Sequence, residues 1–512
     1  MNGAESLLET AVDSGVRICF ANPGTTELPL VTALDGVTDI RAVLCLFEGV
    51  CSAAADGYSR MSGEPAMTLL HLGPGFANGI ANFHNARRAR SAIFNVIGDH
   101  ASWHLASDPP LASDIVSLAG PVSGWLRSTG SSAELGRDTA DAIAAARCGN
   151  VATLIAPHDT QLGDGIAVES ARSTEALSRP PSSVVDGCAR WLRGNGETAL
   201  LLGGGALSER GLRAAAQIAA ASGCRLWCDT FPARLERGAG LPPVERLPYF
   251  PEQAIEVLSG LSALVCAGTH SPVSFFGYPG VPSAMVGDGC ETIELAHPTD
   301  DVPSALEDLA EAIGRSSGSA VSVDDPTFGK RPSGALTPQS VAAAVAGLQP
   351  EGAIVMDEGI SAGLAYFGAA ANAPPHSYLG LTGGAIGQGL PCATGAALAC
   401  PDRPVIALQA DGSGMYTLQA LWTQARESLD VTNLILANRG YQILAIELAR
   451  SGIPDPGPHA RTLTAFDPLP DWTRLARGFG VPAVRVEDAE GLWRELELAL
   501  TEPGPHLIEI PL

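Results

Sequence analysis

The sequence is poor in positive charge. Its 31 lysines and arginines are outnumbered by 55 aspartates and glutamates, and the formal net charge is −24. No stripe of basic residues offsets this excess, so the chain repels phosphate backbones and anionic lipid surfaces. The composition therefore predicts that nucleic acid is not a partner.

Long apolar runs are missing too. No run reaches the roughly 18 to 20 residues that a membrane-spanning helix needs. The residues after Met1 also lack the cationic start, apolar stretch and small-residue cleavage site of a secretory signal. We therefore expect a soluble, cytoplasmic protein that does not interact with a membrane.

The cysteines form no metal-binding pattern. The chain has 11 cysteines, but the closest pairs, Cys224/Cys228 and Cys45/Cys51, lack the C-x-x-C spacing of a zinc site. Because cysteine is among the most frequently buried residues, we expect most of them to be small apolar core residues.

Apolar, strand-like runs alternate with Ala-rich helical stretches throughout the chain. Examples are Val16–Ala21, Ala66–His71, Ala92–Ile97 and Val151–Ala156. Together with 46% apolar residues and 58 glycines, this alternation predicts an α/β protein built on parallel sheets. Because one hydrophobic core rarely serves more than about 250 to 300 residues, the length indicates about three domains.

Two polar stretches that contain Pro and Ser interrupt the alternation. They are Ser170–Ser183 and Arg315–Gln339, and we interpret them as linkers. They divide the chain into three domains, each expected to be a doubly wound parallel sheet: 1–168, 184–314 and 338–512. In the middle domain, the Gly-rich turn Gly203–Ser208 could bind a phosphate or be only a tight turn. Without a complete G-x-G-x-x-G, the tight turn is the favoured interpretation.

The most informative stretch is Pro404–Gly440. A predicted strand, Val405–Gln409, ends in Ala-Asp-Gly-Ser, and a second, Val431–Leu436, ends in Ala-Asn-Arg-Gly. If the two strands are adjacent and parallel, Asp411 and Asn438 lie at neighbouring carboxyl ends. That edge of an open α/β sheet is where ligands bind.

These residues suit a hard divalent cation. The Asp411 carboxylate, the Asn438 amide oxygen and the Gly440 carbonyl would leave octahedral positions for diphosphate oxygens and water, and Mg²⁺ is the natural candidate. Gly412 allows close approach of the chain, while Ser413 and the following N–H groups can cap a helix and face phosphates. Taken alone, Asp-Gly-Ser before a helix is more often an ordinary turn.

The spacing of the two segments is more specific than either segment. Residues 413–437, 25 positions in all, lie between Gly412 and Asn438. This arrangement resembles the thiamine-diphosphate motif of the pyruvate decarboxylase and acetolactate synthase superfamily, Gly-Asp-Gly-Ser followed at such a distance by Asn-Asn. Ala410 and Ala437 replace the first Gly and the first Asn. In that family the second Asn is the metal ligand, so the resemblance still implies bound thiamine diphosphate and Mg²⁺.

A glutamate in an apolar setting is the next point of resemblance. Glu48 lies between the apolar run Leu44–Phe47 and a predicted helix, Cys51–Met61. A glutamate at a helix start is as often only a dipole-stabilising residue. The segment that begins here, however, resembles the family signature Glu-x-x-Ala-x-x-x-Ala-x-Gly-Tyr-Ala. Its glutamate protonates the aminopyrimidine so that the cofactor can remove its own C2 proton, and we assign Glu48 this role.

The resemblance covers essentially the whole chain. Further matching segments are Phe20–Pro29, Gly383–Pro391, Phe479–Val481 and Pro505–Glu509. By position, it implies that Ile386 holds the cofactor bent, that the Gly384 carbonyl accepts from its 4′-amino group, and that Tyr441 lies at the cofactor. In this superfamily one subunit binds the pyrimidine and another the diphosphate. The resemblance therefore implies a homodimer or homotetramer with shared active sites.

The substrate side depends on His71. It follows the predicted strand Ala66–Leu70 and opens a loop that includes Gly73 and that in this family faces the thiazolium. Its position resembles the catalytic histidine of benzoylformate decarboxylase, and Thr25 stands where that enzyme has a site serine. This implies that His71 transfers protons during turnover, which suits an imidazole; the alternative is a strand-end histidine satisfied by backbone. The apolar wall of the pocket is predicted from Ile443 and Leu444.

The resemblance implies decarboxylation of a 2-keto acid, with the product formed either by protonation, giving an aldehyde, or by addition to a second carbonyl, giving a hydroxyketone. The residues around Asn438–Leu444 are most similar to acetolactate-synthase-like large-subunit proteins. A benzoylformate-type decarboxylase is the first alternative. A non-catalytic partner or regulatory homologue is the second, suggested by Ala410 and Ala437 but opposed by the retained glutamate and metal ligands. FAD, which true acetolactate synthases bind, is left open and has no signature to support it.

Overall fold

The computed structural model describes residues 1–166, 177–194, 196–314 and 329–512. These residues form two compact units. Unit 1 contains residues 1–166, 329–370 and 381–512, and unit 2 contains the described residues of 177–314 together with 371–380. The predicted linkers Ser170–Ser183 and Arg315–Gln339 lie in part outside the described residues. The division into domains 1–168, 184–314 and 338–512 therefore stays a prediction.

Residues 1–166 contain a six-stranded sheet with the strand order β2-β1-β3-β4-β6-β5, and all its pairings are parallel. Its strands are β1 (Ile18–Asn22), β2 (Arg41–Leu44), β3 (Ala66–His71), β4 (Ile93–Asp99), β5 (Trp125–Ser128) and β6 (Val151–Pro157). The helices are α1 (Gly3–Asp13), α2 (Leu28–Leu34), α3 (Glu48–Ser62), α4 (Leu72–Ala89), α5 (Ile115–Ala119), α6 (Ser132–Arg147) and α7 (His158–Leu162), with 3₁₀ turns at Thr25–Glu27 and Leu105–Ser107. Strands β3, β4 and β6 are almost entirely buried, as expected for a parallel sheet covered on both faces.

Residues 177–314 carry the strands β7 (Glu197–Leu202), β8 (Arg225–Cys228), β9 (Leu235–Arg237), β10 (Glu245–Arg246), β11 (Leu261–Ala267) and β12 (Glu291–Ala296). The helices are α8 (Ser182–Leu192), α9 (Glu209–Ser222), α10 (Pro251–Leu258) and α11 (Val302–Ile313). Five strands form a parallel sheet in the order β10-β8-β7-β11-β12. The Gly-rich turn after β7 is tightly packed, because a Cβ at Gly203 would lie 2.8 Å from the Gly268 carbonyl oxygen. This favours the tight-turn interpretation.

Residues 329–512 add the strands β13 (Ile354–Glu358), β14 (His376–Gly380), β15 (Val405–Ala410), β16 (Val431–Ala437), β17 (Ala483–Arg485) and β18 (His506–Pro511). The helices are α12 (Pro338–Leu348), α13 (Ile360–Ala369), α14 (Gly389–Ala399), α15 (Asp411–Gly414), α16 (Ala420–Glu427), α17 (Gln442–Arg450), α18 (Pro458–Thr464), α19 (Trp472–Gly478) and α20 (Ala489–Thr501). In unit 1 the strands run parallel in the order β17-β18-β16-β15-β13. Strand β14 belongs to unit 2, where it pairs antiparallel with β9.

Within unit 1, helix α3 crosses α14 at very short range. A Cβ at Gly57 would collide with the Cys392 carbonyl oxygen, and a Cβ at Gly395 would collide with the Ala54 carbonyl oxygen. Glycine is therefore required on both helices for the backbones to approach this closely. This crossing joins the helix that begins with Glu48 to the carboxy-terminal part of unit 1.

The cysteine prediction is confirmed. All 11 cysteines are free thiols and eight of them are buried. Burial raises the pKa of Cys19 to about 12, as expected for a thiol in an apolar core. Among the helices of the described residues, none has the length and apolarity that a membrane span requires.

Candidate active site

Asp411 and Asn438 follow adjacent parallel strands, as the sequence predicted. Strands β15 and β16 pair in register up to Ala410 and Leu436. Asp411 is only 3% exposed, and its carboxylate accepts from the backbone N–H groups of Gly412 at 2.9 Å and Arg439 at 3.0 Å. Burial raises the pKa of Asp411, and these N–H groups act in the opposite direction.

The Asn438 side chain faces oxygen atoms. The side-chain amide lies 3.3 Å from Asp411 Oδ1 and 2.7 Å from the Gly440 carbonyl oxygen, and with its nitrogen turned toward them it donates to both. Between these residues Arg439 has a φ of 68°, a left-handed value that marks a sharp turn. A carboxylate, a side-chain amide and a backbone carbonyl converge here, and the oxygens of such groups suit a hard divalent cation. In the described part of the chain, no group of three His, Cys, Asp or Glu side chains could hold a metal, and this cluster combines one carboxylate with amide and carbonyl groups instead.

Gly412, Ser413 and Tyr441 surround this cluster. A Cβ at Gly412 would lie 2.8 Å from the Phe466 ring and 2.9 Å from the Tyr441 ring, so glycine is needed for close packing. These rings meet edge to face with centroids 5.0 Å apart. The predicted capping by the Ser413 side chain is wrong. Its hydroxyl donates to the Ala410 carbonyl at 3.2 Å, and no side chain caps α15.

Glu48 is the first residue of α3 and is 8% exposed. Asn78, on α4, donates to its carboxylate at 3.0 Å. A Cβ at Gly75 would lie 3.1 Å from Glu48 Oε1 and 3.3 Å from His71 Cβ. Gly75 therefore separates the two predicted catalytic side chains, and its missing side chain leaves space between them.

His71 ends β3 and contacts a buried carboxylate that the sequence analysis did not assign. Its Nδ1 lies 2.8 Å from Glu27 Oε2 and 3.2 Å from Thr26 Oγ1. Thr25, predicted as the site residue of this segment, is exposed, and its neighbour Thr26 makes the contact instead. A backbone-satisfied histidine does not describe this arrangement. The sequence signal that could have identified Glu27 was its charge within Phe20–Pro29, a segment that matches the family.

The chain turns sharply after His71. Leu72 has a φ of 53° and is 1% exposed, an uncommon conformation for a bulky residue and one that accumulates at functional sites. Gly73 follows in the buried first turn of α4, and a Cβ there would collide with Ser113 Oγ. Gly73 is thus packed against another loop rather than lying open to a pocket in the single chain.

The segment Gly383–Gly389 is held from two sides. Glu358, at the end of β13, accepts from the backbone N–H groups of Gly387, at 2.6 Å, and Gly389. Burial raises the pKa of Glu358 to about 7 despite these bonds. From α4, Asn85 donates to the Ala385 carbonyl at 2.7 Å and accepts from its N–H at 3.1 Å.

The two residues predicted to contact the cofactor lie within this segment. Gly384 has a left-handed φ of 77°, and Ile386 is half-buried. Sequence analysis missed Glu358 and Asn85, although Glu358 follows an apolar run and so carried a signal like that of Asp411.

The predicted pocket wall lies on an uncovered helix. Helix α17 has no buried residue, Ile443 is half-buried and Leu444 is 45% exposed. In one chain these side chains therefore form an open apolar surface.

Comparison with known proteins identifies the family of the chain. The chain matches the family description "Thiamine pyrophosphate enzyme, N-terminal TPP binding domain" over residues 1–117 and "Thiamine pyrophosphate enzyme, C-terminal TPP binding domain" over residues 361–510. It is 50% identical to a Mycobacterium tuberculosis protein named "Putative acetolactate synthase large subunit IlvX", with 100% of this chain and 99% of that protein covered.

Two decarboxylases are also similar. Benzoylformate decarboxylase of Pseudomonas aeruginosa is 29% identical, with 97% of this chain and 96% of that protein covered. The solved structure of a Rhodococcus jostii thiamine diphosphate-dependent 4-hydroxybenzoylformate decarboxylase superposes with a TM-score of 0.86 at 25% identity, covering 99% of this chain and 98% of that one. The chain belongs to the thiamine-diphosphate-dependent enzyme family that includes acetolactate synthases and benzoylformate decarboxylases.

Proposed function

We propose that this enzyme decarboxylates a 2-keto acid and releases an aldehyde. The observation that carries the proposal is the His71 imidazole, which lies 2.8 Å from a fully buried Glu27 carboxylate. Its position in the sequence resembles that of the catalytic histidine of benzoylformate decarboxylase. Because a group that can donate and accept protons is held there, protonation of the product is favoured over addition of a second carbonyl.

The pyrimidine end of the cofactor is proposed to bind at Glu48. When bound, thiamine diphosphate supplies the electron sink that allows a 2-keto acid to lose CO₂. Glu48 holds a proton against the pyrimidine ring, a role supported by its burial at the start of α3. The Gly384 carbonyl and the Ile386 side chain hold the same ring. Thr25, Gly73, Ile443 and Leu444 are proposed to surround the substrate.

The diphosphate end is proposed to bind Mg²⁺ through Asp411, Asn438 and the Gly440 carbonyl, with Gly412, Ser413 and Tyr441 beside the phosphates. Support comes from the convergence of these three groups, since the Asn438 side-chain amide lies 3.3 Å from Asp411 Oδ1 and 2.7 Å from the Gly440 carbonyl oxygen. In place of the hydrogen bonds that its nitrogen can donate to both, the amide would turn its oxygen toward a bound cation.

Calorimetric titration with thiamine diphosphate, performed once in the presence of Mg²⁺ and once in the presence of EDTA, tests the metal site. Asp411→Ala should weaken Mg²⁺-dependent binding by at least ~100-fold, since losing a partner outside the ligand set already costs about 10- to 100-fold. Asp402→Asn, an exposed carboxylate before β15, is the control. Absence of binding in the parental protein would favour the non-catalytic alternative.

A second copy of the chain is proposed to complete each site, in a homodimer or homotetramer. Support comes from large apolar side chains that are exposed in the single chain, among them Leu444 of the proposed pocket wall at 45%, Trp103 at 75% and Leu463 at 76%. A second copy of the chain could bury such side chains in a symmetric interface. The division into three domains, the cytoplasmic location and the lack of a nucleic-acid partner are kept as predictions from the sequence, and FAD is not part of the proposal.

Product analysis tests the reaction. The holoenzyme is incubated with pyruvate and with benzoylformate, and the products are identified by chromatography and mass spectrometry. We expect CO₂ and the matching aldehyde, and their loss in His71→Ala. Parental turnover by His71→Ala would remove the proposed proton-transfer role.

Carboligation is the second candidate, because the relative at 50% identity is named as an acetolactate synthase large subunit. It predicts a hydroxyketone from pyruvate, formed without the aldehyde as the main product. The same chromatograms distinguish the two outcomes.

A further inference from the structure

Glu27 is a fully buried carboxylate outside the residues assigned so far. It ends the 3₁₀ turn Thr25–Glu27 and is 0% exposed. Its Oε1 accepts from the Thr26 hydroxyl at 2.6 Å, and its Oε2 accepts from the Gly24 N–H at 2.7 Å. A Cβ at Gly98 would collide with Oε1, so the end of β4 is shaped around this carboxylate. A buried charge is retained only when it is bonded in this way.

The hydrogen bonds determine where His71 carries its proton. The Nδ1 atom faces Glu27 Oε2 at 2.8 Å and Thr26 Oγ1 at 3.2 Å. The Thr26 hydroxyl gives its hydrogen to Glu27 Oε1, so its oxygen offers Nδ1 only a lone pair. Because Nδ1 faces two acceptors, it must carry the proton, and in the neutral ring Nε2 is then the atom with the lone pair.

We propose that Glu27 is a positioning residue that holds His71 in the Nδ1–H form, with Nε2 as the proton-transferring atom. The inference rests on the proposed proton-transfer role of His71. When Nε2 accepts a proton, the ring becomes a cation bonded to the Glu27 carboxylate; when Nε2 donates it, the neutral Nδ1–H form returns. Glu27 keeps its charge throughout and exchanges no proton.

Other titratable groups lie close to this pair. Asp99 ends β4, where burial and the nearby Glu27 charge raise its pKa. Glu48 approaches from α3 across Gly75, and His158 Nδ1 lies 3.2 Å from the Thr26 carbonyl. All of these groups can contribute to the pH profile of the enzyme. The test therefore compares variants and observes directly which nitrogen of the His71 ring carries the proton.

The direct readout is the ¹⁵N spectrum of the holoenzyme labelled at histidine, with the His71 signals identified by their loss in His71→Ala. We expect Nδ1 protonated and Nε2 unprotonated in the neutral parental ring, and a larger Nε2–H fraction in Glu27→Gln. A parental His71 with its proton on Nε2 would overturn the inference. This reading needs no substrate.

The kinetic readout uses the 2-keto acid that product analysis identifies. Glu27→Gln should lower kcat by about 10- to 1000-fold, somewhat less than the ~10²- to 10⁴-fold that a general acid–base group itself contributes, while KM stays near the parental value and Glu27→Asp regains part of the rate. Combined with His71→Ala, Glu27→Gln should cost nothing further, because it acts through His71. Glu9→Gln, an exposed carboxylate on α1, is the matched control.

Two failures are distinguishable. Parental kcat in Glu27→Gln together with a slow His71→Ala would overturn the positioning role and leave the proposed function intact. Parental kcat in His71→Ala would instead reject the proton-transfer role, whatever the spectrum shows.

Discussion

At the scale of single residues, burial and hydrogen bonds decide whether a carboxyl group can hold a proton. Glu48 is buried and receives one side-chain hydrogen bond, from Asn78. We expect Glu48→Gln to slow hydrogen–deuterium exchange at C2 of bound thiamine diphosphate by about 10²- to 10⁴-fold, because the amide cannot supply the proton that the pyrimidine requires. Acid quench followed by proton NMR measures the exchange.

The exchange assay needs no knowledge of the substrate. Glu9→Gln is again the control, since this carboxylate on α1 is exposed. A parental exchange rate in Glu48→Gln would show that another group activates the cofactor.

Glu358 predicts a pH dependence of stability. Its pKa is raised by burial from the ordinary 4.5 to about 7, so between these values the folded chain holds a proton that the unfolded chain has lost. The stabilisation that comes from the raised pKa of Glu358 is therefore fully present below pH 4.5 and is lost as the pH rises through 7. We expect the parental protein to lose roughly 3 kcal/mol relative to Glu358→Gln over this interval.

Thermal unfolding of the parental protein and Glu358→Gln at pH 5, 6, 7 and 8 measures this difference. Because the two proteins share all other carboxylates, the difference between their Tm values removes the contribution of those groups. A difference in Tm that stays constant, or that grows in favour of the parental protein with rising pH, would contradict the raised pKa.

At the scale of elements, the close crossing of α3 and α14 packs the helix that begins with Glu48 against the carboxy-terminal part of unit 1. We expect Gly57→Ala to destabilise the protein by about 1 to 3 kcal/mol, because its methyl group must displace the Cys392 carbonyl. Gly368→Ala is the control, since a Cβ at this position on α13 meets nothing within 4 Å. Unfolding by denaturant measures both. Equal stability of the two variants would show that the helices can separate without cost.

The sequence predicted the strands well, because apolar runs between turn residues are a local signal. Strand β3 spans Ala66–His71, the same bounds as the apolar run identified in the sequence, and β15 and β16 each extend one residue beyond the prediction. The start of α3 was predicted less well: the structure begins the helix at Glu48 instead of Cys51. Glutamate, glycine and valine fit a helix start as readily as a loop, so only packing determines the boundary.

Contacts distant in sequence were beyond local signals. The strand pair β14 and β9 was not predicted, because β9 spans only Leu235–Arg237 and so short a segment has no readable alternation. Glu27 and His71 are 44 residues apart, and nothing in the spacing indicates that the carboxylate bonds Nδ1. The Asp411 and Asn438 pair was predictable because each follows a recognisable strand.

At the scale of the whole molecule, the residues of the site fall on two sheets of unit 1. Glu48 and His71 belong to the amino-terminal sheet region, and Asp411 and Asn438 to the carboxy-terminal one. The family resemblance implies that each site takes the first group from one subunit and the second from another. Large apolar side chains exposed on a single chain agree with burial against a second copy.

Subunit complementation tests this arrangement. Glu48→Gln and Asp411→Ala chains, each inactive alone, are co-expressed with different tags and the mixed dimer is isolated. If sites are shared, one site receives both substitutions and the other receives neither, so the mixed dimer should show about half the parental activity per dimer by two-fold symmetry. If each site lies within one chain, both sites are damaged and the mixed dimer stays inactive. A dimer of two differently tagged Glu48→Gln chains, which has no intact site in either case, is the control.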